Sequence, residues 1–479
     1  MKRIKNWMLI AALIGGGSLM TSCDCDDATP ASSNDEVRKE RQELLQVIED
    51  DTEIIDGSMV NDGMLLTAQV NAQLMTKMGR GRHFIANMKQ LIAMMAVKNA
   101  LENIKAVEQG SQLEEMGYKA YIPVDISAFG LHVLFNDRGD YNITPANGLE
   151  FVFPATVQGL GTTLYKMAFR NSGEWYESVT PAHFGNVQYL ACVNRIPKTM
   201  TMTLSGLFDG EEKTLVEGTV NIELENGDAS RFVSFRENDF RLSGEIRSNL
   251  KAVGLGEDDS CLGYDFAFSQ DGTLTAAFDY TQKGLKLMDF NTVLTLSAGD
   301  DFVSQLSDYV MHFSNAEGIE DHALDNVFPG GKAEMSINIL DRLLMAGSIG
   351  NVAEYIKTLQ DLKDNCKEGS SAADWNKYLK VLNQQCDMTL TSTKTTSLVP
   401  MQILAEQRGE GLLLLPSLKF ADMSDYHSLS ELVSSKTIDS LGRIMASSAQ
   451  PMGNAGSYMV LLSRVMQMMP LNSEEWGFK

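Results

Sequence analysis

The reading of the fold turns on residues 261–280, CLGYDFAFSQDGTLTAAFDY. Leu262, Tyr264, Phe266 and Phe268 hold the even positions. Ser269-Gln270-Asp271-Gly272 follows, and Leu274, Ala276, Phe278 and Tyr280 resume the alternation. Successive side chains of a β-strand point to opposite faces, so a period of two marks a strand with one apolar and one polar face. Asp-Gly between two such runs is a strong hairpin signal, because both turn positions need a backbone that few other residues adopt easily. The stretch predicts an antiparallel hairpin, half buried and half wet.

The same rule extends outward. Val220, Ile222 and Leu224 alternate with Thr219, Asn221 and Glu223, and Phe240, Leu242, Gly244, Ile246 and Leu250 alternate with charged and polar neighbours. Asp209-Gly210 and Asn226-Gly227 supply further turns. Tyr141 to Val157 and Leu164 to Ser178 read as an earlier pair of hairpins. Together these predict a β-rich region over 118–298, an antiparallel meander with some strands of about 12 residues, longer than the usual ~5–6.

The flanks have helical spacing. In region 35–117, Val37 to Asp50 is rich in Glu, Arg, Leu and Gln, with Asn34 or Asp35 as a cap candidate. Phe84 to Glu108 carries Ile85, Met88, Leu91, Ile92 and Met95 at three- and four-residue steps. Region 299–479 reads as mostly helical, with helices at Ser336 to Ala346, Val352 to Leu362, Ala372 to Gln385, Leu429 to Met445 and Tyr458 to Met469. Leu340, Leu343 and Leu344 are core candidates there; Met388 to Ile403 looks β-like, and Leu412 to Leu415 should be buried. A meander's apolar face needs a cover, and these helices have apolar stripes to bury. The expected fold is α+β: an antiparallel β-meander with one face packed by N-terminal and C-terminal helices.

The first residues carry a different kind of information. Lys2, Arg3 and Lys5 precede the apolar Met8 to Ile14, then Gly15 to Gly17 and Leu19-Met20-Thr21-Ser22-Cys23. The apolar run falls short of the ~20 residues needed to span a bilayer. The pattern resembles the lipobox of bacterial lipoproteins. That resemblance implies removal of residues 1–22 as a signal peptide, acylation of Cys23, and a linker over 23–34. Asp24, Asp26 and Asp27 resemble the acidic export tag of Bacteroidota lipoproteins, with Cys25 interrupting it. The tag implies the outer leaflet of the outer membrane, whereas in enterobacterial lipoproteins an aspartate at this place means retention at the inner membrane. The resemblance covers the signal and tag alone.

The net charge of −23 becomes more negative once Lys2, Arg3 and Lys5 are removed. Such a surface repels nucleic acid and anionic head groups, and no basic patch offsets it, so nucleic acid is not an expected partner. Cys23 aside, five cysteines remain: Cys25, Cys192, Cys261, Cys366 and Cys386. No CxxC or Cys/His spacing suits zinc. Cys366 and Cys386 end two successive helical stretches, and a second helix starting near Ala372 separates Cys386 from its own start by roughly 20 Å. That exceeds the ~7 Å that a disulfide allows between Cα atoms.

Motifs for chemistry are scarce. His83, His132, His183, His312, His322 and His427 are dispersed, with His312 and His322 the nearest pair. There is no HExxH, no GxSxG and no GxxxxGK[ST]. Gly79-Arg80-Gly81 and Gly159-Leu160-Gly161 read as turns or caps. Glu257-Asp258-Asp259 and Asp300-Asp301 read as solvated turns rather than calcium loops. The 27 methionines, including Met75, Met78, Met88, Met94, Met95, Met466, Met468 and Met469, read first as adaptable core filler, second as an apolar ligand pocket and last as thioether copper ligands, for which Met75/Met78 and Met466/Met469 are only lone pairs. Trp175-Tyr176 and Trp375 with Tyr378 are candidate glycan platforms.

These features predict no catalytic, metal-ligating or cofactor-binding residues and no cofactor. They favour a surface-exposed lipoprotein that binds a partner protein or glycan, or assists envelope assembly, without catalysis of its own. Two alternatives stand beside it: a carrier enclosing a hydrophobic, lipid-like ligand between sheet and helices, and a hydrolase whose carboxylates meet only in the fold.

Overall fold

A computed structural model describes residues 34–444, apart from 226–238, 296–330 and shorter stretches at 59–61, 81–83, 126–129, 158–160, 185–186, 252–253, 255–259, 367–368 and 409–410, with positions 147, 172, 250 and 270. The architecture is mixed α+β, dominated by long antiparallel strands. Among the described residues the chain divides into two compact bodies, one of 34–58 with 261–444, the other of 62–260. The first opens with helix α1 (Asn34–Ser58) and is otherwise built from the later half of the chain.

The body of 62–260 begins with two helices, α2 (Asp62–Arg80) and α3 (Phe84–Glu102). The expected helix to Glu108 stops at Glu102. Lys105–Ala106 (β1) instead pairs with β2 (Ala120–Asp125), and the short α4 (Gln112–Glu115) lies between them. Strands β3 (Leu131–Phe135), β4 (Tyr141–Pro145), β5 (Leu149–Val157) and β6 (Gly161–Asn171) follow. Neither of the two early hairpins expected forms: β5 pairs with β6 across the boundary between the two ranges, and Trp175–Phe184 goes to another sheet. β4 pairs with β3, and β3 runs parallel to β5.

β7 (Trp175–Phe184) leaves that sheet and pairs with β8 (Val187–Pro197), which runs parallel to β2, giving a separate sheet ordered β1-β2-β8-β7. The main sheet resumes with β9 (Thr199–Phe208), β10 (Glu211–Glu225) and β11 (Asp239–Ser248), in the order β4-β3-β5-β6-β9-β10-β11. Asp209-Gly210 makes the β9–β10 turn with φ of 52° and 81°, the left-handed geometry that a two-residue hairpin requires. β10 is 15 residues long, and its alternation is broken by an irregularity between Thr214 and Val216, where Leu215 and Val216 are both buried.

Aromatic packing seats the helices in this body. The Phe84 ring, at the start of α3, lies 5.2 Å from Phe135, 4.9 Å from Tyr141 and 6.5 Å from Phe151. Gln73 of α2 both donates to the carbonyl of Thr156 and accepts from its N–H, so the helix is also hydrogen-bonded to the β5 backbone.

The other body carries a consecutive antiparallel meander. Its strands are β12 (Ser260–Phe268), β13 (Thr273–Gln282), β14 (Leu285–Thr295), β15 (Lys332–Ile339), β16 (Leu343–Ile349), β17 (Cys386–Ser392), β18 (Thr395–Arg408), β19 (Gly411–Leu418) and β20 (His427–Ser428). The stretch 261–280 is the β12–β13 pair, and Phe266, Phe278 and Phe290 stack across three strands at 5.1 and 6.1 Å. Helices α5 (Val352–Asn365) and α6 (Ala372–Gln385) interrupt the meander between β16 and β17. Asn351 caps α5, and Ser371 with Asp374 forms a capping box on α6.

Two helical expectations fail here. Ser336 to Ala346 is the β15–β16 hairpin, turning at Leu340 and Asp341 with φ of 52° and 54°. Leu340, Leu343 and Leu344 show helix-like steps only because two alternating strands meet across a tight turn. Leu343 is buried, whereas Leu344 is exposed. Leu429 to Met445 is broken at Ser434 into α7 (Leu429–Leu432) and a helix over 435–444, and the Ser434 hydroxyl accepts from the Thr437 N–H as a cap. The apolar run at Leu412 to Leu415 is part of β19, with Leu414 and Leu415 buried. Tyr458 to Met469 lies outside the described residues.

Candidate functional site

None of Cys23, Asp24, Asp26 and Asp27 is among the described residues, and the same holds for Cys25, His83, His312, His322, Glu257 to Asp259, Asp300-Asp301 and the Met466 cluster. The remaining candidates are scattered over both bodies. His132 and Glu150 face each other on parallel β3 and β5, with Glu150 Oε2 3.3 Å from His132 Nδ1 and Oε1 2.6 Å from Arg170. Burial raises the Glu150 pKa, but the bonds from His132 and Arg170 outweigh it and hold the carboxyl below its usual range. These two partners favour the charged form of the carboxylate and tie β3, β5 and β6 together.

The aromatic platforms are occupied. The Arg195 guanidinium sits 5.3 Å over Trp175 and Lys198 sits 5.2 Å over Tyr176. Trp375 and Tyr378 pack against the core beneath α5 and α6. Met78 and Met88 are buried core residues, which fits the filler reading, while Met94 is exposed. Cys192, Cys261, Cys366 and Cys386 form no disulfide with one another. Cys366 neighbours Asp374 and Lys377 in the first turns of α6, and Cys386 ends α6 beside Tyr355 at the start of α5. The two helices therefore run antiparallel and hold these thiols at opposite ends.

The cavity that draws residues together in this body was not legible in the sequence. It measures about 470 Å³ and opens between the first turns of α1, the start of β18 and the loop after β19. Val37, Glu40, Arg41 and Leu44 recur at three- and four-residue steps, so a single face of α1 forms one wall. Ser397 and Leu398 of β18 form the second, and Lys419 with Tyr426 the third.

Its polar geometry is specific. The Ser397 hydroxyl donates to Glu40 Oε2. Arg41 pairs with Asp422 at 2.7 Å, which ties α1 to the loop. The Lys419 N–H donates to the Pro400 carbonyl at 3.0 Å, and its ammonium lies 5.9 Å over the Tyr426 ring. The floor is apolar, with Leu44, Val399 and Phe420 buried. Among the described residues, no three His, Cys, Asp or Glu side chains converge to hold a metal ion, and no helix is long and apolar enough to cross a membrane.

No known family model matches the chain, and neither curated proteins nor solved structures are detectably similar to it.

Proposed function

We propose that this chain is a lipid-anchored envelope protein that binds a partner without transforming it. Cys23 is the acylated residue, and Asp24, Asp26 and Asp27 are the tag that directs it to the outer surface of the outer membrane. The observation that carries the binding part of the reading is the cavity at the start of α1. Its 470 Å³ falls within the ~300–1,000 Å³ of ligand pockets. The chain between Cys23 and Val37 reaches at most about 50 Å even if fully extended, so the cavity is held close to the bilayer.

The hydrophobic-carrier reading draws less support, since Glu40, Arg41 and Lys419 line this cavity. For the hydrolase reading, Asp51 has its carboxyl pushed up by burial, yet it does not line the cavity. The proposal includes helices lying over one face of the sheet. Register supports that arrangement in one body: Ile349 with Cys386, Met345 with Leu390, and Leu390 with Val399 are direct cross-strand partners. Their side chains share clusters with residues of α1, α5 and α6.

The test is fractionation of the native host expressing Cys23→Ala. Release of the protein from the membrane fraction is expected, together with loss of surface labelling on intact cells. Retention in the membrane fraction would sink the anchor. Crosslinking from position 37 or 398 on intact cells tests the binding part, and a wholly uncrosslinked protein there argues against it.

A further inference from the structure

We propose that the cavity at the start of α1 is a subsite for a neutral sugar unit, held between Glu40 and Lys419; this rests on the binding reading above. Charge is the first argument. Asp422 already neutralises Arg41 at 2.7 Å. The lining then presents one carboxylate, Glu40, and one ammonium, Lys419, neither in an ion pair with another described residue. An anionic ligand meets Glu40 and a chain of net charge −23. A cationic ligand meets Lys419. A purely apolar ligand strips water from both charges and offers nothing in return.

A hydroxyl group both donates and accepts. Neighbouring hydroxyls of one ring therefore satisfy the pair together, one donating to the Glu40 carboxylate and one accepting from the Lys419 ammonium. The Ser397 hydroxyl is committed to Glu40 Oε2, which orients the carboxylate and leaves Oε1 for the ligand. Shape is the second argument. Leu398, 43% exposed, lines the cavity together with the half-buried Tyr426, and the leucine with the ring face not covered by Lys419 gives apolar surface for the C–H face of a sugar ring. Lys419 over that ring keeps the ammonium at the wall instead of free in solvent.

The experiment presents the full mature protein to an array of neutral gluco-, galacto- and manno-oligosaccharides and their uronate counterparts, followed by calorimetry on the best probe. Retention of neutral glycans is expected, with Glu40→Gln and Lys419→Met each weakening binding at least tenfold while leaving the thermal melt in place. Binding of uronates alone, lost in Lys419→Met, overturns the neutral class and leaves the binding reading standing. Neutral glycans that bind both variants as tightly as the parent overturn this location. An array that retains nothing overturns the sugar proposal, and crosslinking on intact cells then separates two cases: a captured protein preserves the binding reading, and none removes both.

Discussion

Arg342 Nη1 lies 2.7 Å from Asp51 Oδ1, joining the middle of α1 to the turn between β15 and β16. The Asp51 side chain is 1% exposed, against 30% for Arg342. Neither carboxylate oxygen receives a well-aligned hydrogen bond among the described residues. Asp51 is therefore a buried charge met mainly by Coulombic attraction, from Arg342 and more weakly from Lys394. Burial outweighs that attraction and raises its pKa.

Removing the cation should cost more than removing the acid. Arg342→Met leaves a buried carboxylate without its partner, and we expect a loss of about 2–3 kcal/mol. That is below the ~3–5 of a fully buried pair, because Asp51 can take up a proton instead. Asp51→Asn should cost less, since Arg342 remains partly hydrated and near Asp50. A raised folded-state pKa means the folded protein binds the proton more tightly than the unfolded one. The stability this lends is complete below the ordinary carboxylate pKa and is lost as pH rises through the raised value. Asp51→Asn should accordingly gain on the parent as pH rises from about 3.5 to 7. Urea unfolding across that range checks it, and a gap that widens in the opposite direction refutes the assignment.

The thiols give a second prediction. Burial pushes Cys192 up to about 11 and Cys386 up to about 12, and raises Cys366 as well. Since the thiolate is the reactive form, these three should alkylate slowly in the folded protein. Half-buried Cys261 should label first. Peptide mapping after timed iodoacetamide treatment reads the order. A peptide joining Cys366 to Cys386 by a disulfide would contradict the antiparallel α5–α6 arrangement.

The β15–β16 turn is a place to add stability. Leu340 has φ of 52°, a conformation that costs a side-chain-bearing residue about 1–2 kcal/mol. Leu340→Gly should raise stability by about 0.5–1 kcal/mol after the loss of its partly buried side chain. Asp341 should be kept, because it accepts from Asn338 Nδ2 at 2.6 Å. A lowered melting temperature for Leu340→Gly would mean that the leucine side chain matters more than its backbone.

The opposite outcome awaits Gly130. A Cβ there would fall 1.5 Å from the Ala146 carbonyl oxygen, and the same residues exchange the hydrogen bond from the Ala146 N–H to the Gly130 carbonyl at 2.9 Å. Gly130→Ala must push two backbones apart where β3 meets the chain after β4. We expect a loss of about 2–3 kcal/mol, at the upper end for single substitutions, measurable by the same urea unfolding.

Much of this fold is local physics, and the sequence by itself determined that part. Alternation in Leu262 to Phe268 and Leu274 to Tyr280 needs no distant residue to specify a hairpin, and Asp209-Gly210 needs none to turn one. Ser371 and Asp374 announce α6 within four residues. Where two local signals overlap, the sequence is ambiguous. Ile337, Ile339, Leu343 and Met345 satisfy strand alternation while Leu340, Leu343 and Leu344 mimic a helix, and cross-strand pairing with β14 and β17 chose the hairpin.

Only the tertiary structure decided the rest. The departure of β7 into a second sheet depends on β8 running parallel to β2, a pairing between segments far apart in the chain. The cavity needs Glu40, Ser397 and Lys419 in one lining, and no short-range pattern links them. Secondary structure is encoded over a few residues by periodicity and turn chemistry. A site made from both ends of a chain exists only after loop closure has brought those ends together, and the free energy that does so comes from burial spread over many side chains rather than from the site itself.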